Sequence, residues 1–442
     1  MERTAARRGE AASEAMSDEA EPARHDQTDR GAEDLLLQSL ARENMVRAWK
    51  RVKANKGGAG VDGRTVQDTA EHLKQAWPDI RRRLLDGSYR PEPVRRVGIP
   101  KPGGGVRELG IPTVVDRLIQ QALLQVLQPR IDPTFSEHSH GFGPGRSAHD
   151  AVLEAQQYVQ AGYAVVVDVD LEKFFDRINH DILMDRMAKR IADKRVLGLI
   201  RRYLQAGILT HDGHIEREEG TPQGGPLSPL LANVMLDEVD RELERRGHRF
   251  VRYADDCNVY VRSHKAGERV LQALRGCYAK LALKVNESKT AVAEVWGRKF
   301  LGYCFWAQRG ETKRAVAGQA MERLRQRLRE LTRRTRGRSL QQIAEDLRGY
   351  VPGWKAYFRL VQTPQVMREL DKWLRHRLRA VQLKQWRSGP TIFRELRRLG
   401  ASEALAAGVA SHPCRWWHNS RLGLNRILTV AMFDRLGVPK FS

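Results

Sequence analysis

The chain has 442 residues, with 77 lysines and arginines against 54 aspartates and glutamates, a net charge of +23 and a pI near 10.2. This length allows two or three domains, and the charge favours a polyanionic partner, nucleic acid before a membrane surface. The sequence has no run of 18 apolar residues, no apolar leader and no CxxC pair among its four cysteines, so we expect a reducing compartment, no bilayer span and no zinc site.

The first part of the chain changes from a polar tail to helices and then to a hairpin. Residues 1–34 are rich in alanine and acidic residues and lack aromatic residues, which predicts a disordered tail. Helical periodicity begins at Leu35, stops at a glycine-rich break over 57–63 and resumes over 65–89. Short β-like stretches interrupted by proline and glycine predict a hairpin over 94–112.

The middle of the chain alternates helices with strands that carry aspartate. We predict a helix over 114–131, a strand over 163–171 that includes Asp170, and further helix up to 206. In "VRYADDCNVYVR" (251–262), β-forming residues flank two adjacent acids and predict a hairpin. A helix and the strand-like "KFLGYCFW" follow. This order indicates an α+β fold.

From residue 308 the composition becomes strongly basic. Residues 308–385 hold 20 basic and 7 acidic residues with almost no β signal. Apolar residues fall on one face of a predicted helix over 321–338, and arginines cover the rest. Such a face is either merely solvated or binds a nucleic-acid backbone; interleaved tryptophan and tyrosine favour the second interpretation.

The adjacent acids Asp255 and Asp256 allow two interpretations. They could form a solvated turn, and a Tyr-x-Asp-Asp tetrapeptide alone is a weak signal. They could instead join Asp170 in binding metal, because phosphoryl transfer with two Mg²⁺ ions about 4 Å apart requires carboxylates that converge from separate elements.

The order of the sequence blocks resembles that of the group II intron reverse transcriptase-maturases over residues 35–442. The blocks that carry the resemblance are "IPKPGGGVRELGIPTVVDRLIQQALLQVLQP", "SHGFGPGRSAHDAV", "DLEKFFDRINHD", "GTPQGGPLSPLLANVMLDEVD", "RYADD", "LKVNESKT", "KFLGY" and "GYVPGWKAYF". The resemblance implies an α+β right-hand polymerase, in which fingers and a palm with an acid-bearing antiparallel sheet precede an α-helical thumb and a small basic C-terminal domain. The implied regions are a tail (1–34), an N-terminal extension with an RNA-contacting loop (35–93), fingers and palm (94–307), domain X, which is the thumb and maturase surface (308–385), and a DNA-binding domain (386–442).

The resemblance also implies roles for individual residues. Asp170, Asp255 and Asp256 would bind two Mg²⁺ ions, and Phe175 would lie under the incoming sugar and exclude a 2′-hydroxyl, unless it is only a core residue. Nucleotide contacts are expected from Lys101, Arg107, Gln223 and Gly224. Lys289 matches a lysine that protonates the leaving pyrophosphate, although a surface lysine is the alternative. Nucleic-acid contacts are expected from Arg146, Arg325, Arg329, Arg336 and Lys355. Gly143 departs from the family pattern, where a basic residue is common.

The resemblance implies a bacterial enzyme that binds group II intron RNA, assists its splicing and copies it into DNA during retrohoming. Its expected partners are intron RNA, target DNA, a primer-template duplex and dNTPs, with no membrane, in the cytoplasm or at the nucleoid. No Cys/His endonuclease module is expected, as in the compact subgroup. The alternatives are a domesticated reverse transcriptase with another role, such as phage defence, and a splicing cofactor that only binds RNA.

Overall fold

The structure, a computed structural model, describes residues 34–100, 105–210, 213–335, 337–421 and 423–442. The helices are α1 (Leu35–Ser39), α2 (Arg42–Ala54), α3 (Val66–Leu85), α4 (Val114–Ile131), α5 (Ala148–Gln160), α6 (His180–Ala188), α7 (Lys194–Gln205), α8 (Ser228–Arg245), α9 (His264–Lys280), α10 (Gly318–Leu331), α11 (Leu340–Tyr357), α12 (Pro364–Trp386), α13 (Gly389–Arg398), α14 (Glu403–Ala410), α15 (Trp416–Asn419) and α16 (Val430–Arg435). The strands are β1 (Val94–Pro100), β2 (Val106–Ile111), β3 (Val165–Val169), β4 (Ile208–Thr210), β5 (Gly213–Ile215), β6 (Arg249–Tyr253), β7 (Asp256–Val261), β8 (Ala291–Glu294), β9 (Lys299–Phe300), β10 (Tyr303–Gln308) and β11 (Glu311–Val316). The tail predicted over 1–34 lies outside the described residues except for Asp34, whose side chain caps α1.

The first sheet is built on the predicted hairpin. Its strand order is β2-β1-β4-β5; β1 pairs antiparallel with β2 and parallel with β4. The helices beside it begin at side-chain caps, because Thr65 accepts from the Asp68 amide at the start of α3 and Thr113 accepts from the Asp116 amide at the start of α4. Residues 101–104, between β1 and β2, lie outside the described residues.

The central sheet carries the acids. It is antiparallel in the order β6-β7-β3-β8, so β3 lies between β7 and β8. Val167 and Val169 of β3 are buried in the main core with residues of α8 and α9, which leaves Asp168 and Asp170 on the other face. The α+β class and the acid-bearing antiparallel sheet are therefore confirmed.

The third sheet refines one sequence prediction and corrects another. The strand-like "KFLGYCFW" is β9 and β10 joined by a turn, in which Leu301 and Gly302 have φ of 48° and 83°. The segment predicted to lack strands contains β11, which pairs antiparallel with β10. The charged residues of its sequence, "ETKRAV", obscure the alternation of apolar and polar residues that would indicate a strand. Helix α5 packs on β11, and Gln156 Nε2 donates to the Thr312 carbonyl at 2.5 Å.

The helical part that follows begins at α10, which ends earlier than predicted. The helix expected over 321–338 stops at Leu331, where the buried Thr332 hydroxyl donates to the Leu328 carbonyl and its backbone leaves the helical region. Leucines of α10, α11 and α12 form a core separate from that of the sheet. Among the described residues, no helix is long and apolar enough to cross a bilayer.

The helical part is joined to the third sheet at the end of α11. The Tyr357 hydroxyl donates to the Leu301 carbonyl at 2.9 Å, and the Tyr357 carbonyl accepts from the Tyr303 hydroxyl. His149 Nε2 lies 2.6 Å from the same Tyr357 carbonyl. The turn between β9 and β10 is therefore fixed against α11 at several points.

Candidate active site

Asp170 follows the last residue of β3, and its backbone is held by the loop before β8. Its amide donates to the Thr290 hydroxyl at 3.2 Å, and its carbonyl accepts from the Asn286 amide at 2.8 Å. These bonds satisfy both polar backbone groups of the residue. The carboxylate is consequently presented at a fixed point on the edge of the sheet.

Asp255 and Asp256 lie at the tip of the β6–β7 hairpin. The pair Tyr253–Asp256 closes the ladder, so Ala254 and Asp255 form a two-residue turn, with Ala254 at a φ of 57°. A non-glycine residue adopts this conformation only when its surroundings impose it. Here Arg252 does so, because its Nη1 donates to the Ala254 carbonyl at 2.9 Å.

One cleft brings together six of the nine residues predicted for catalysis and nucleotide binding. It has a volume of about 770 Å³ and is lined by the predicted residues Asp170, Phe175, Gln223, Asp255, Asp256 and Lys289. The candidate metal ligands, the ring expected to contact the sugar and the expected proton donor therefore share one space. This size suits a nucleotide-sized ligand.

The electrostatics of the cleft favour a cation. Crowded protein atoms desolvate the Asp256 carboxyl although it reaches solvent, and the charges of Asp255, Asp168 and Asp170 add to this effect and raise its pKa to about 6. Oxygen donors gathered in this way fit Mg²⁺. Within the described ranges, no three His, Cys, Asp or Glu side chains are already spaced to hold one metal ion.

Lys289 forms an ion pair with Asp170. Its Nζ lies 3.2 Å from Oδ1 and 3.4 Å from Oδ2, and the lysine side chain is largely exposed to the cleft. The ammonium group thus lies beside the carboxylate cluster and can reach a ligand there. This placement suits a proton donor better than a lysine on the outer surface would.

Phe175, Gln223 and Gly224 line or border the same space. Phe175 is partly buried, packs edge-to-face on Phe174 with ring centroids 5.1 Å apart, and still faces the cleft. Gly224 has a φ of 135°, and a Cβ there would lie 2.8 Å from the Gly110 carbonyl oxygen. Glycine is therefore required where this loop meets β2, and the Gln223 carbonyl accepts from the Gly110 amide at 3.1 Å.

The structure tests the two expected triphosphate contacts only in part. Lys101 lies outside the described residues, and for Arg107 only the backbone is described, paired with Ile99 across the hairpin. Two other hairpin residues, Arg96 and Glu108, form an ion pair and line the cleft. Sequence reasoning missed both, although strand alternation places them on the cleft side of β1 and β2.

Asp168 is a second acid that sequence reasoning missed. It lies two residues before Asp170 on the same face of β3, so the period of two in "VVVDVDL" was the available signal. Burial raises its pKa, an effect opposed by Arg298, whose Nε donates to Oδ2 at 3.0 Å. Asp168 therefore adds negative charge to the cluster, and Arg298 partly compensates it.

The predicted nucleic-acid contacts divide into exposed and engaged side chains. Arg325 and Arg329 are exposed on α10, and Arg336 lies outside the described residues. Arg146 Nη1 donates to the carbonyls of Ser136 and Ser139, a loop-holding role that we had not predicted. Lys355 Nζ donates to the Ser442 carbonyl at 3.3 Å.

A basic cluster surrounds the exposed end of α10. The guanidinium groups of Arg329 and Arg377 lie 5.9 and 5.3 Å from the centre of the Trp373 ring. Burial, followed by the charges of Arg334 and Arg329, lowers the pKa of Arg377 to about 10. Neighbouring cations that depress one another's pKa are stabilised by an anion such as phosphate.

His138 and His140 belong to a hydrogen-bond network around Glu154 of α5. Both rings contact the Glu154 carboxylate, His140 through Nε2 at 2.5 Å, and the Tyr158 hydroxyl donates to it as well. Burial opposes ionisation of Glu154, but these hydrogen bonds outweigh it and hold its pKa at about 2. The ionised Glu154 carboxylate therefore holds the side chains of His138, His140 and Tyr158 together.

Two family models match the chain. Residues 99–305 match "Reverse transcriptase (RNA-dependent DNA polymerase)", and residues 321–400 match "Group II intron, maturase-specific domain". The two matches cover the central sheet and most of the helical part.

Individual proteins are similar over parts of their length. Protein YkfC of Escherichia coli (strain K12) is 32% identical over 311 residues, which cover 61% of this chain and 82% of that protein. The group II intron-encoded protein LtrA of Lactococcus lactis subsp. cremoris is 39% identical over 196 residues, 44% of this chain but only 32% of LtrA. Among solved structures, a partial Cas6-RT-Cas1--Cas2 complex aligns with a TM-score of 0.37 and 25% identity over 55% of this chain and 42% of that chain.

Proposed function

The chain belongs to the group II intron-encoded reverse transcriptase-maturases, and from this premise we propose that it copies RNA into DNA in the cleft at the end of β3 and the tip of the β6–β7 hairpin. The observation that carries the proposal is the convergence of Asp170, Asp255 and Asp256 on one nucleotide-sized space. Its substrates are a primer annealed to an RNA template and dNTPs.

The three carboxylates would hold two Mg²⁺ ions. When bound, the ions supply charge stabilisation for the attacking 3′-hydroxyl oxygen and the leaving pyrophosphate oxygen. The protein contributes the position of the carboxylates: loop 286–290 fixes the end of β3, and Arg252 fixes the turn that carries Asp255. Desolvation and mutual repulsion among the acids are relieved when cations bind.

Other residues of the cleft act on the nucleotide. Lys289, held at Asp170, donates a proton to the leaving pyrophosphate. The Phe175 ring borders the position of the sugar and excludes a 2′-hydroxyl, and Gly224 lets the backbone beside Gln223 approach the nascent pair. Lys101 and Arg107 of the β1–β2 hairpin contact the triphosphate.

The maturase function rests on a different surface. Arg325 and Arg329 are exposed on α10, and Arg377 and Trp373 lie beside them. We assign phosphates of folded intron RNA to these cations, with Arg336, Lys355 and Arg146 as further contacts. Retrohoming, which also requires target DNA, combines the two surfaces in one protein.

Primer extension tests the enzymatic proposal directly. Purified protein should extend a DNA primer on an RNA template with dNTPs and Mg²⁺, and EDTA should abolish the product. Asp256→Asn should remove activity, whereas Asp185→Asn, which changes an exposed acid on α6, should retain it. Equal extension by the wild type and Asp256→Asn would contradict the assignment.

A further inference from the structure

A second basic cleft lies between α12 and the C-terminal segment, apart from the surface formed by α10. It has a volume of about 610 Å³, and five cationic side chains line it against one aspartate, Asp371. The cations are Lys372, Arg375, Arg379, Arg421 and Lys440. Positive charge in this cleft therefore exceeds the negative charge available from its own lining.

Arg375 forms the floor of the cleft and is 3% exposed. Its Nη1 donates to Asp371 Oδ1 at 3.2 Å, and its Nη2 approaches Asp434 Oδ1 only to 3.5 Å. Its Nε has no hydrogen-bond partner among the described residues. A buried guanidinium donor without a partner is costly, so an anion in the cleft would be stabilised there.

The nearest acid cannot compensate all of these cations. Asp371 already accepts the Phe441 amide on Oδ1 and the Ser442 amide on Oδ2, each at 2.9 Å. Arg379 donates its Nε to the Leu428 carbonyl at 2.9 Å, which orients the guanidinium, and burial followed by the charge of Arg375 lowers its pKa. Arg375 and Arg379 are thus fixed in place before any ligand arrives, which reduces the entropic cost of binding, whereas the exposed Lys372 and Lys440 pair with Glu369 and Asp434 outside the lining.

An aromatic surface adjoins the cleft. His376 lines it and stacks on Trp417 with ring centroids 3.8 Å apart, and Trp417 is 38% exposed. The open face of such a ring accepts an unpaired base, and stacking of this kind accompanies phosphate contacts in proteins that bind single strands.

We propose that this cleft binds a backbone phosphate of a nucleic-acid strand, with an unpaired base of that strand stacked on Trp417. The proposal rests on the proposed function for the choice of a nucleic acid as the ligand. Arg377 contacts Thr332 at the end of α10, whereas Arg375 and Arg379 contact the C-terminal segment. Helix α12 therefore presents two separate nucleic-acid contacts on different faces.

The test uses exposed lining residues, because replacing Arg375 risks the fold. The double variant Lys372→Gln/Arg421→Gln is compared with Arg368→Gln/Arg394→Gln, which removes two exposed charges of α12 and α13 outside the lining. Anisotropy with fluorescein-labelled single-stranded RNA and DNA of one sequence measures affinity over a KCl series. We expect about tenfold weaker binding at low salt and a salt slope lower by about 0.7, the value for one phosphate of a single strand. The control should match the wild type.

A third variant separates stacking from charge. Trp417→Ala should weaken binding while leaving the salt slope unchanged, since no cation is lost. Loss on RNA alone identifies an RNA strand, loss on DNA alone a DNA strand, and loss on both a site that accepts either. Wild-type affinity and slope in the double variant on both strands, with an unchanged melting temperature, would overturn the proposal. Primer extension by the same variants reports on the polymerase separately, so failure of extension in the wild type would contradict the proposed function and not this cleft.

Discussion

The guanidinium of Arg252 lies fully buried against the carboxylate of Asp240, with Nε 2.8 Å from Oδ1, and the same guanidinium holds the turn that carries Asp255. Its remaining donors bond the Asn233 side chain and the Ser139 hydroxyl. Breaking a buried pair leaves an uncompensated charge, whereas replacing both partners with apolar groups does not. The buried Arg252–Asp240 pair therefore helps to fix the position of the turn that carries Asp255.

We predict that Arg252→Met lowers the free energy of unfolding by about 3–5 kcal/mol, because Asp240 would remain buried without its partner. Adding Asp240→Leu should recover most of that loss. Primer extension should stay low in the double variant, since neither replacement can hold the Ala254 carbonyl. Denaturant unfolding and extension rates check the two effects. Full recovery of extension in the double variant would show that Arg252 is not needed to position the acids.

Asp255→Asn should separate the two functions. The change removes one charge of the metal-binding cluster, so extension on RNA should fall at least about a hundredfold. Binding of intron RNA should stay within a few-fold, because the basic surface on α10 is unaltered. Extension and filter-binding assays on the same preparation measure both quantities. Retained extension with Mg²⁺ would show that Asp255 is not a ligand.

Phe175→Val should admit ribonucleotides, because a smaller side chain relieves the clash with a 2′-hydroxyl. The measurement is single-nucleotide incorporation of rNTP relative to dNTP, a ratio that is insensitive to the fraction of folded enzyme. We expect the ratio to rise by about tenfold or more, equivalent to about 1.4 kcal/mol of discrimination. An unchanged ratio would leave Phe175 with its packing role beside Phe174.

Glu154→Gln should change the pH dependence of stability. A carboxyl with a folded-state pKa of about 2 contributes stability that is complete above pH 4.5 and is lost as the pH falls towards 2. The free energy of unfolding of the variant should therefore be lower than that of the wild type by up to about 3 kcal/mol at pH 7. This difference in free energy should become smaller as the pH falls from 4.5 to 2. Melting curves at several pH values measure this, with exposed Glu71→Gln as the control. A constant difference would contradict the hydrogen-bond account.

Replacing Arg325, Arg329 and Arg336 together with Gln should flatten the salt dependence of intron RNA binding. Each lost phosphate contact lowers the slope of log K against log salt by about 0.7 to 0.9. Protein-assisted splicing at low Mg²⁺ should fail, and extension of a short primer should suffer less. A matched triple variant of Arg82, Arg245 and Arg246, exposed arginines on or directly after other helices, controls for lost charge. If slope and splicing stay at wild-type values, α10 is only a solvated face.

Sequence reasoning predicted the features that local patterns encode. The β1–β2 hairpin and α4 follow from turn residues and a capped apolar period, and the acids stand out against their strands. It missed β11, because charged residues obscure its alternation and α5 supplies the support. It also extended α10 past Thr332, where one buried hydroxyl helps to end the helix.

The candidate site shows the same division. Asp255 and Asp256 are visible in the sequence, but Asp168 and its partner Arg298 are separated by 130 residues and meet only in the folded sheet. Arg146, which the sequence indicates as a nucleic-acid contact, also donates its Nη1 to two backbone carbonyls, an interaction that the sequence does not indicate. Side-chain direction of this kind depends on tertiary structure and cannot be obtained from periodicity.

The contact between Tyr357 and Leu301 has an evolutionary consequence. It joins the helical part to the turn between β9 and β10, so we expect both the splicing surface and the polymerase to depend on it. In a lineage that stopped making DNA but still relied on the protein for splicing, selection on Asp255 and Asp256 would relax, whereas this joint would remain under selection. Decay in such descendants should therefore begin at the acids and reach Tyr357 last.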